Sequence, residues 1–324
     1  MLEEVERWLE QRSWSVADRP LHQLTAAKRA SGQTVSVVLP ALDEEATVGE
    51  IVTVIRRELM TAAVPLVDEL VVLDSGSTDR TAEVAAAAGA RVVHRDTILP
   101  RIPAAPGKGE VLWRSLYVTS GDIVCFVDAD LKEFSADFVS GIVGPLLTDP
   151  GVSFVKAMYD RPLGTEFDSP ASGRTAGQGG RVTELMARPI LNLHWPRLAG
   201  FVQPLGGEYA ARRTLLERLP FPVGYGVELG LLVDALHTVG LDALAQVDVG
   251  VRRHRHQDGL ALGRMAAAIY RTAQLRLARG QLVRPELTQF ERGERGFVPR
   301  TYAVDTVERP PMAEIGEYAE RRVA

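Results

Sequence analysis

Three apolar runs in the first half of the chain end abruptly in carboxylates. Val37-Val38-Leu39-Pro40 leads to Asp43-Glu44-Glu45, and Val71-Val72-Leu73 to Asp74 and, past Ser75-Gly76-Ser77-Thr78, to Asp79. Phe126-Val127 leads to Asp128-Ala129-Asp130, and Gly107-Lys108-Gly109 lies just upstream of that third run. An apolar run without alternation has the pattern of a buried parallel strand. In an open α/β sheet the ligand crevice lies beyond the carboxyl ends of the strands. The three acidic ends are therefore expected to converge on one crevice. Carboxylates with a single lysine suit a metal-bound diphosphate and a sugar, not a bare anion.

Alternation along an extended segment places Asp128 and Asp130 on the same side. Hard cations such as Mg²⁺ take oxygen ligands and share them with substrate phosphates. A bare Asp-x-Asp is also a common strand-end turn, and it is the position behind two other acidic ends that favours a site. In the second cluster, small polar residues between a strand and a helix expose backbone N–H groups that favour anions or hydroxyl-rich ligands, with Ser77 or Thr78 expected as the helix cap. The chain has neither a Gly-Lys-Ser/Thr phosphate loop here nor a Gly-x-Gly-x-x-Gly turn, which counts against an ATPase and a dehydrogenase. Flanking glycines leave Lys108 free to reach a phosphate or a base, though a surface turn with a solvated lysine has the same composition.

Three more clusters lie downstream. Arg252-Arg253-His254-Arg255-His256 is densely basic in an acidic protein. A neutral imidazole there can complete a metal shell with Asp130 and phosphate oxygens, and the neighbouring cations can bind an anionic acceptor. Gly179-Gly180-Arg181-Val182-Thr183-Glu184 runs from glycines into a helix start, a cradle for phosphate or carboxylate. Gly224-Tyr225-Gly226-Val227-Glu228 can present a ring and a carboxylate to a sugar, or Glu228 can merely complement a helix dipole. His22, His94, His194 and His237 have no such context and are taken as structural.

These residues need strands over 34–40, 70–73, 91–94 and 123–127, and helices over 47–59, from 77 or 78 to 89, and 109–120. The alternation predicts an α/β fold with a mostly parallel sheet and helices on both faces. Further on, the pattern predicts a helix over 138–147, a strand over 152–159 and a loop over 163–180. It then predicts a helix over 183–193 disturbed by Pro189, a strand over 201–211 with a turn at Gly206-Gly207, and a helix over 227–238. A strand over 243–251 and a long helix over 258–279 follow. The expected division is a helical extension over 1–33, a nucleotide-sugar half over 34–160, an acceptor-binding half of the same domain over 161–290, and a loosely packed tail over 291–324.

The bulk numbers set limits. A chain of 324 residues suffices for one large α/β domain. Its net charge of −5 argues against a general nucleic-acid binder. The single cysteine, Cys125, lies in an apolar run and cannot form an internal disulfide, which fits a reducing cytoplasm. No apolar stretch reaches the ~18 residues of a membrane span. The acidic start over 1–11 does not read as a signal peptide.

The strings 35–45, 71–79, 106–115 and 122–130 resemble the Rossmann-like core of the GT-A glycosyltransferases. The strings 179–188, 203–211, 221–234 and 243–254 resemble the actinobacterial glucosyl-3-phosphoglycerate synthases, retaining transferases grouped with a mannosyl-3-phosphoglycerate synthase. The resemblance runs over 34–290, and 308–312 also resembles the family's tail. It implies that Pro40, Ala41, Leu42, Glu44, Ser75 and Lys108 hold a uridine diphosphate moiety. It implies that Asp128 and Ala129 contact ribose or sugar, Asp130 and His254 bind a divalent metal (Mg²⁺ or Mn²⁺), and Tyr225 and Glu228 contact glucose. Gly180, Arg181 and Thr183 are implied for 3-phosphoglycerate. Asp128, Asp130, Glu228, His254 and Lys108 form the expected catalytic set. Two positions depart from the family pattern. Ala129 stands where serine is usual, and its backbone makes the contact. His256 stands near the acceptor where asparagine is usual. The implied protein is a cytoplasmic homodimer that takes UDP-glucose and 3-phosphoglycerate and neither nucleic acid nor membrane. GDP-mannose as donor, a dolichol-phosphate or polysaccharide transferase, and a non-catalytic nucleotide-sugar sensor are the alternatives.

Overall fold

The computed structural model describes residues 2–160, 180–252, 259–277, 286–293, 296–303 and 307–323. The predicted loop over 163–180 falls almost wholly outside these residues, and so do His254 and His256.

The elements follow the hydrophobic pattern. They begin with α1 (Glu3–Arg12), β1 (Ser13–Ser15) and α2 (Leu21–Ser31). The donor-side core follows: β2 (Val35–Ala41), α3 (Val48–Leu59), β3 (Glu69–Asp74), α4 (Thr81–Ala87), β4 (Arg91–His94), α5 (Lys108–Val118) and β5 (Ile123–Phe126). After these come α6 (Asp137–Thr148), β6 (Phe154–Asp160), α7 (Arg188–His194), β7 (Tyr209–Arg212), α8 (Arg213–Leu216), β8 (Phe221–Pro222), α9 (Val227–Val239), β9 (Leu244–Val251) and α10 (Gly259–Leu277). The chain closes with the β10 (Glu286–Gly293) and β11 (Gly296–Ala303) hairpin, β12 (Glu308–Arg309) and α11 (Gly316–Val323).

The main sheet has eight strands in the order β1-β9-β6-β7-β5-β2-β3-β4. Within it β7 runs antiparallel to both neighbours, and the other described pairings are parallel. Each face carries its own core. Val37, Leu39 and Cys125 pack with Ile51 and Ile55 of α3 and Val143 of α6. Val38, Val124 and Phe126 pack on the other face with Leu112 and Leu116 of α5 and Leu232 of α9. Burial on both faces is why these strands are apolar throughout.

Several predicted features need correction. The strand predicted over 201–211 is only Tyr209–Arg212, because Gly206 and Gly207 break the extended run just before it. The helix predicted to start at Ser77 or Thr78 starts at Thr81. Ser77 Oγ accepts from Asp43 N–H instead, and the Asp79 carboxylate accepts the Thr81 N–H at 2.9 Å. The helix predicted over 183–193 is present, and its expected disturbance takes the form of a wide π turn, Thr183–Ala187, that runs straight into α7. Pro189 has no N–H to offer the carbonyl four residues earlier, and the wide turn accommodates its ring. The N-terminal segment is more than a helical extension, since β1 pairs with β9 as an edge strand and Trp8 donates to the Leu244 carbonyl at 2.8 Å. The last described residues are not loosely packed. There β12 pairs with β8, Arg309 binds Glu110, and Met312 and Tyr318 are buried.

Candidate active site

The ends of β2, β3 and β5 open into a cavity of about 780 Å³. Pro40, Ala41, Leu42, Glu44 and Ser75 line one side, and Lys108, Asp128, Ala129 and Asp130 line its floor. Gly180, Arg181, Thr183, Tyr225 and Glu228 line the opposite side. The cavity thus brings together every predicted site residue that lies among the described ones.

Not every carboxylate of the acidic clusters faces the cavity. Asp43 accepts the Thr78 N–H at 2.7 Å, Glu45 accepts the Arg80 N–H at 3.0 Å, and Asp79 accepts the Glu45 N–H at 3.1 Å. Asp74 accepts the N–H groups of Gly76 and Ser77 within its own turn. Asp43, Glu45 and Asp79 brace two loops against each other, and Asp74 shapes the second of them. Of the acids in the first two clusters only Glu44 lines the cavity, with Ser75 beside it on that wall.

The floor is an ion network. Gly107, at a φ of 128° that favours glycine, starts α5 so that Lys108 projects inward. Lys108 Nζ pairs with Asp128 Oδ1 and, at 2.9 Å, with Glu228 Oε1. Burial works against its charge, but Asp128 and Glu228 outweigh it and hold the Lys108 pKa well above the ordinary lysine value. Glu228 is therefore tied to the lysine and is not merely a helix-dipole acid. Thr47 Oγ1 donates to the Ala129 carbonyl at 2.6 Å, which fixes the backbone between the two aspartates.

Arg252 is the main revision of the basic cluster, whose flanking cations are predicted to meet the acceptor. This side chain turns inward and is 3% exposed. Its Nη2 lies 2.8 Å from Asp128 Oδ2 and 3.4 Å from Asp130 Oδ1, so both aspartates face one side. Its Nε donates to Glu208 at 2.9 Å, and Tyr159 Oη donates to the same carboxylate at 2.7 Å. Burial and the Asp128 charge push the Asp130 pKa up, with Arg252 and Lys108 acting against them. Glu208 has no counterpart in the sequence-based site. The available signal is a charge set directly before a buried strand.

A hard divalent cation fits this donor set. Two oxygen donors stand side by side, both within reach of the Arg252 guanidinium. Among the described residues no three His, Cys, Asp or Glu side chains form a metal cage. Further ligands would have to come from outside them.

The sequence model of the glycosyl transferase family 2 matches residues 36–204. The glucosyl-3-phosphoglycerate synthase of Mycolicibacterium smegmatis is 49% identical over 309 residues, spanning 95% of this chain and 98% of the relative. The chain belongs to the glucosyl-3-phosphoglycerate synthase family. Two solved structures share its fold. The mannosyl-3-phosphoglycerate synthase of Rubrobacter xylanophilus superposes with a TM-score of 0.87 at 40% identity, over 96% of this chain and 97% of that one. The glucosyl-3-phosphoglycerate synthase of Mycobacterium tuberculosis, in complex with Mn²⁺, UDP-glucose and phosphoglyceric acid, gives 0.79 at 47% identity, over 90% and 94%. The GT-A fold and the enzyme class follow from this membership. Among the described residues no helix is long and apolar enough to cross a membrane.

Proposed function

We propose that the chain transfers glucose from UDP-glucose to the 2-hydroxyl of 3-phosphoglycerate, with retention at the anomeric carbon and release of UDP. One observation carries this reading. A single cavity joins the strand-end wall to the Gly180-Arg181-Thr183 turn, and Lys108 stands between Asp128 and Glu228 on its floor.

In this assignment Pro40, Ala41, Leu42, Glu44 and Ser75 hold the uridine moiety, and Lys108 faces the diphosphate. Asp128 with Ala129, Tyr225 and Glu228 hold ribose and glucose, while Gly180, Arg181 and Thr183 hold the acceptor's charged groups. His256 lies outside the described residues and is assigned to the acceptor from sequence alone. Asp130 with His254 would hold the divalent cation, Mg²⁺ or Mn²⁺, which when bound neutralises charge on the diphosphate.

Asp128 and Glu228 are both engaged by Lys108, and a carboxylate so held is a poor nucleophile. A front-face path therefore fits the floor better than a covalent glycosyl-enzyme. The acceptor oxygen bonds to the anomeric carbon on the face that the diphosphate leaves, and the departing phosphate oxygen takes the hydroxyl proton. The protein contributes position and charge stabilisation.

A second reading is the same chemistry with GDP-mannose, favoured by the 0.87 TM-score to the mannosyl relative. The test is turnover with UDP-glucose, GDP-glucose and GDP-mannose, each against 3-phosphoglycerate and near analogues. Preference for UDP-glucose supports the first reading, preference for GDP-mannose replaces it, and no turnover with any pair sinks both. A cytoplasmic homodimer belongs to the same proposal. The buried Cys125 thiol, pushed up by burial, fits a reducing compartment, and sedimentation of the purified chain checks the dimer.

A further inference from the structure

Lys156 is a charge that the mechanism above does not use. It sits in the apolar run Phe154-Val155-Lys156-Ala157 of β6, where alternation places it on the same face as Phe154. The side chain is 1% exposed. Among the described residues no carboxylate pairs with it. Its contacts are the Gly206 carbonyl, which accepts from Nζ at 2.6 Å, and the Tyr209 ring, whose centroid lies 4.8 Å away. Among the described residues the buried Tyr209 hydroxyl has no hydrogen-bond partner. A buried ammonium without an ion-pair partner opposes folding, and an unbranched apolar side chain would fill the same space without that opposition. Burial lowers its pKa to about 8, with Glu228, Glu208 and Asp128 acting to raise it and Lys108 to lower it.

What Lys156 holds is the backbone that closes the floor. Gly206 precedes Gly207, and a methyl group on Gly207 would overlap both the Asp128 carboxylate and the Lys108 ammonium. Next comes Glu208, which anchors Arg252, and its carbonyl accepts the Ala157 N–H at 2.9 Å. A shift of the Gly206 carbonyl would therefore move the surface against which Lys108 and Asp128 are set, without touching the uridine wall.

We propose that Lys156 is a positioning residue for sugar transfer, acting through the Gly206 carbonyl to hold Gly207 against the Lys108–Asp128–Glu228 group. The proposal rests on the function proposed above, and wild-type turnover tests that function separately. The experiment compares Lys156→Met and Lys156→Gln in the full chain. It measures thermal midpoint, UDP affinity by calorimetry with Mn²⁺, and kcat with whichever donor–acceptor pair the wild type uses. Lys156→Met is expected to keep or raise the midpoint and to bind UDP normally, yet to lose at least about tenfold in kcat. Lys156→Gln keeps an N–H donor for Gly206 and is expected to recover at least about threefold over the methionine variant. A methionine variant within about twofold of wild-type kcat overturns the proposal. So does one whose midpoint, UDP affinity and activity fall together, since that is a structural role. Glutamine performing no better than methionine removes the Gly206 link.

Discussion

Pro40, Ala41, Ser75 and Asp128 hang from the ends of buried parallel strands, whereas Gly180, Arg181, Tyr225 and Glu228 stand at the first residues of helices and turns. The strand-end wall is cross-braced by Asp43, Glu45, Asp79 and Thr47, each with a bond into a neighbouring loop. Among the described residues the opposite wall shows fewer ties. Arg188 links its π turn to the carbonyls of Phe201 and Val202, while Arg181 is exposed and Tyr225 is 51% exposed. The contrast suits the two proposed ligands. A nucleotide diphosphate is large and is recognised by a surface that is already formed. A small triose acid needs only a few charged contacts, which a wall of turns and exposed side chains can offer.

The strand-end wall should break most completely at Asp130. Asp130→Asn removes one of two adjacent carboxylates, leaves Arg252 with one partner fewer, and weakens neutralisation of the leaving diphosphate. We expect kcat to fall by at least about a hundredfold with the circular-dichroism spectrum unchanged. Near-normal turnover at limiting metal would place the cation elsewhere.

The seam between the walls is sharpened by a stability measurement on Lys156. Its folded-state pKa is depressed by burial, so between about pH 8 and the ordinary lysine value of 10.5 the unfolded chain binds the proton and the folded chain does not. The destabilisation is complete below pH 8 and fades as pH rises through that window. Lys156→Met should therefore be more stable than wild type by up to roughly 3 kcal/mol at neutral pH, with the gap closing by pH 10.5. Lys108, Asp128, Glu208, Glu228 and Tyr209 surround the site in both proteins, so the difference isolates Lys156. Denaturant midpoints at pH 7 and pH 10 decide it, and a gap independent of pH would contradict the burial of a charge.

The acceptor wall should fail selectively. Arg181→Ala is expected to raise KM for 3-phosphoglycerate about ten- to a hundredfold, since a charge-assisted contact to phosphate is worth roughly 1.5–3 kcal/mol. KM for the donor should hardly move. Equal changes in both constants would put Arg181 on the donor side of the cavity.

Legibility in the sequence divides along the same line. Apolar strand runs carry their own position, so Arg91–His94 sits where the pattern puts it and the ends of β2, β3 and β5 do meet at one cavity, although the β3 end brings Ser75 there and no carboxylate. Features fixed by side-chain bonding between loops were not legible. Nothing in Asp43-Glu44-Glu45 tells that only the middle acid faces the cavity, because the partners of the other two lie in another loop. The antiparallel course of β7 is defined by its pairing with β5 and β6, strands that lie far from it in sequence. Arg252 reads as part of a basic surface because its three carboxylate partners are distant in sequence. Lys156 and Glu208 were visible only as lone charges in or beside apolar strands, a signal of burial without a stated use.

The finest contrast between the walls is a single hydroxyl. Thr47 is buried, and its Oγ1 gives the Ala129 carbonyl a 2.6 Å hydrogen bond between the two aspartates. Thr47→Val keeps the shape and removes the donor, leaving that carbonyl without this partner. The cost is about 1–3 kcal/mol for an unsatisfied buried acceptor, less whatever the backbone regains by shifting toward solvent in the cavity. We expect a small fall in thermal midpoint and a several-fold weaker UDP affinity, since Asp128 and Asp130 lose their common anchor. Affinity for 3-phosphoglycerate, which the proposal assigns to Arg181 and Thr183 across the cavity, should not change. Calorimetry with each ligand alone makes the measurement. If the valine variant weakens the acceptor as much as the nucleotide, the two walls share one support and the distinction between them fails.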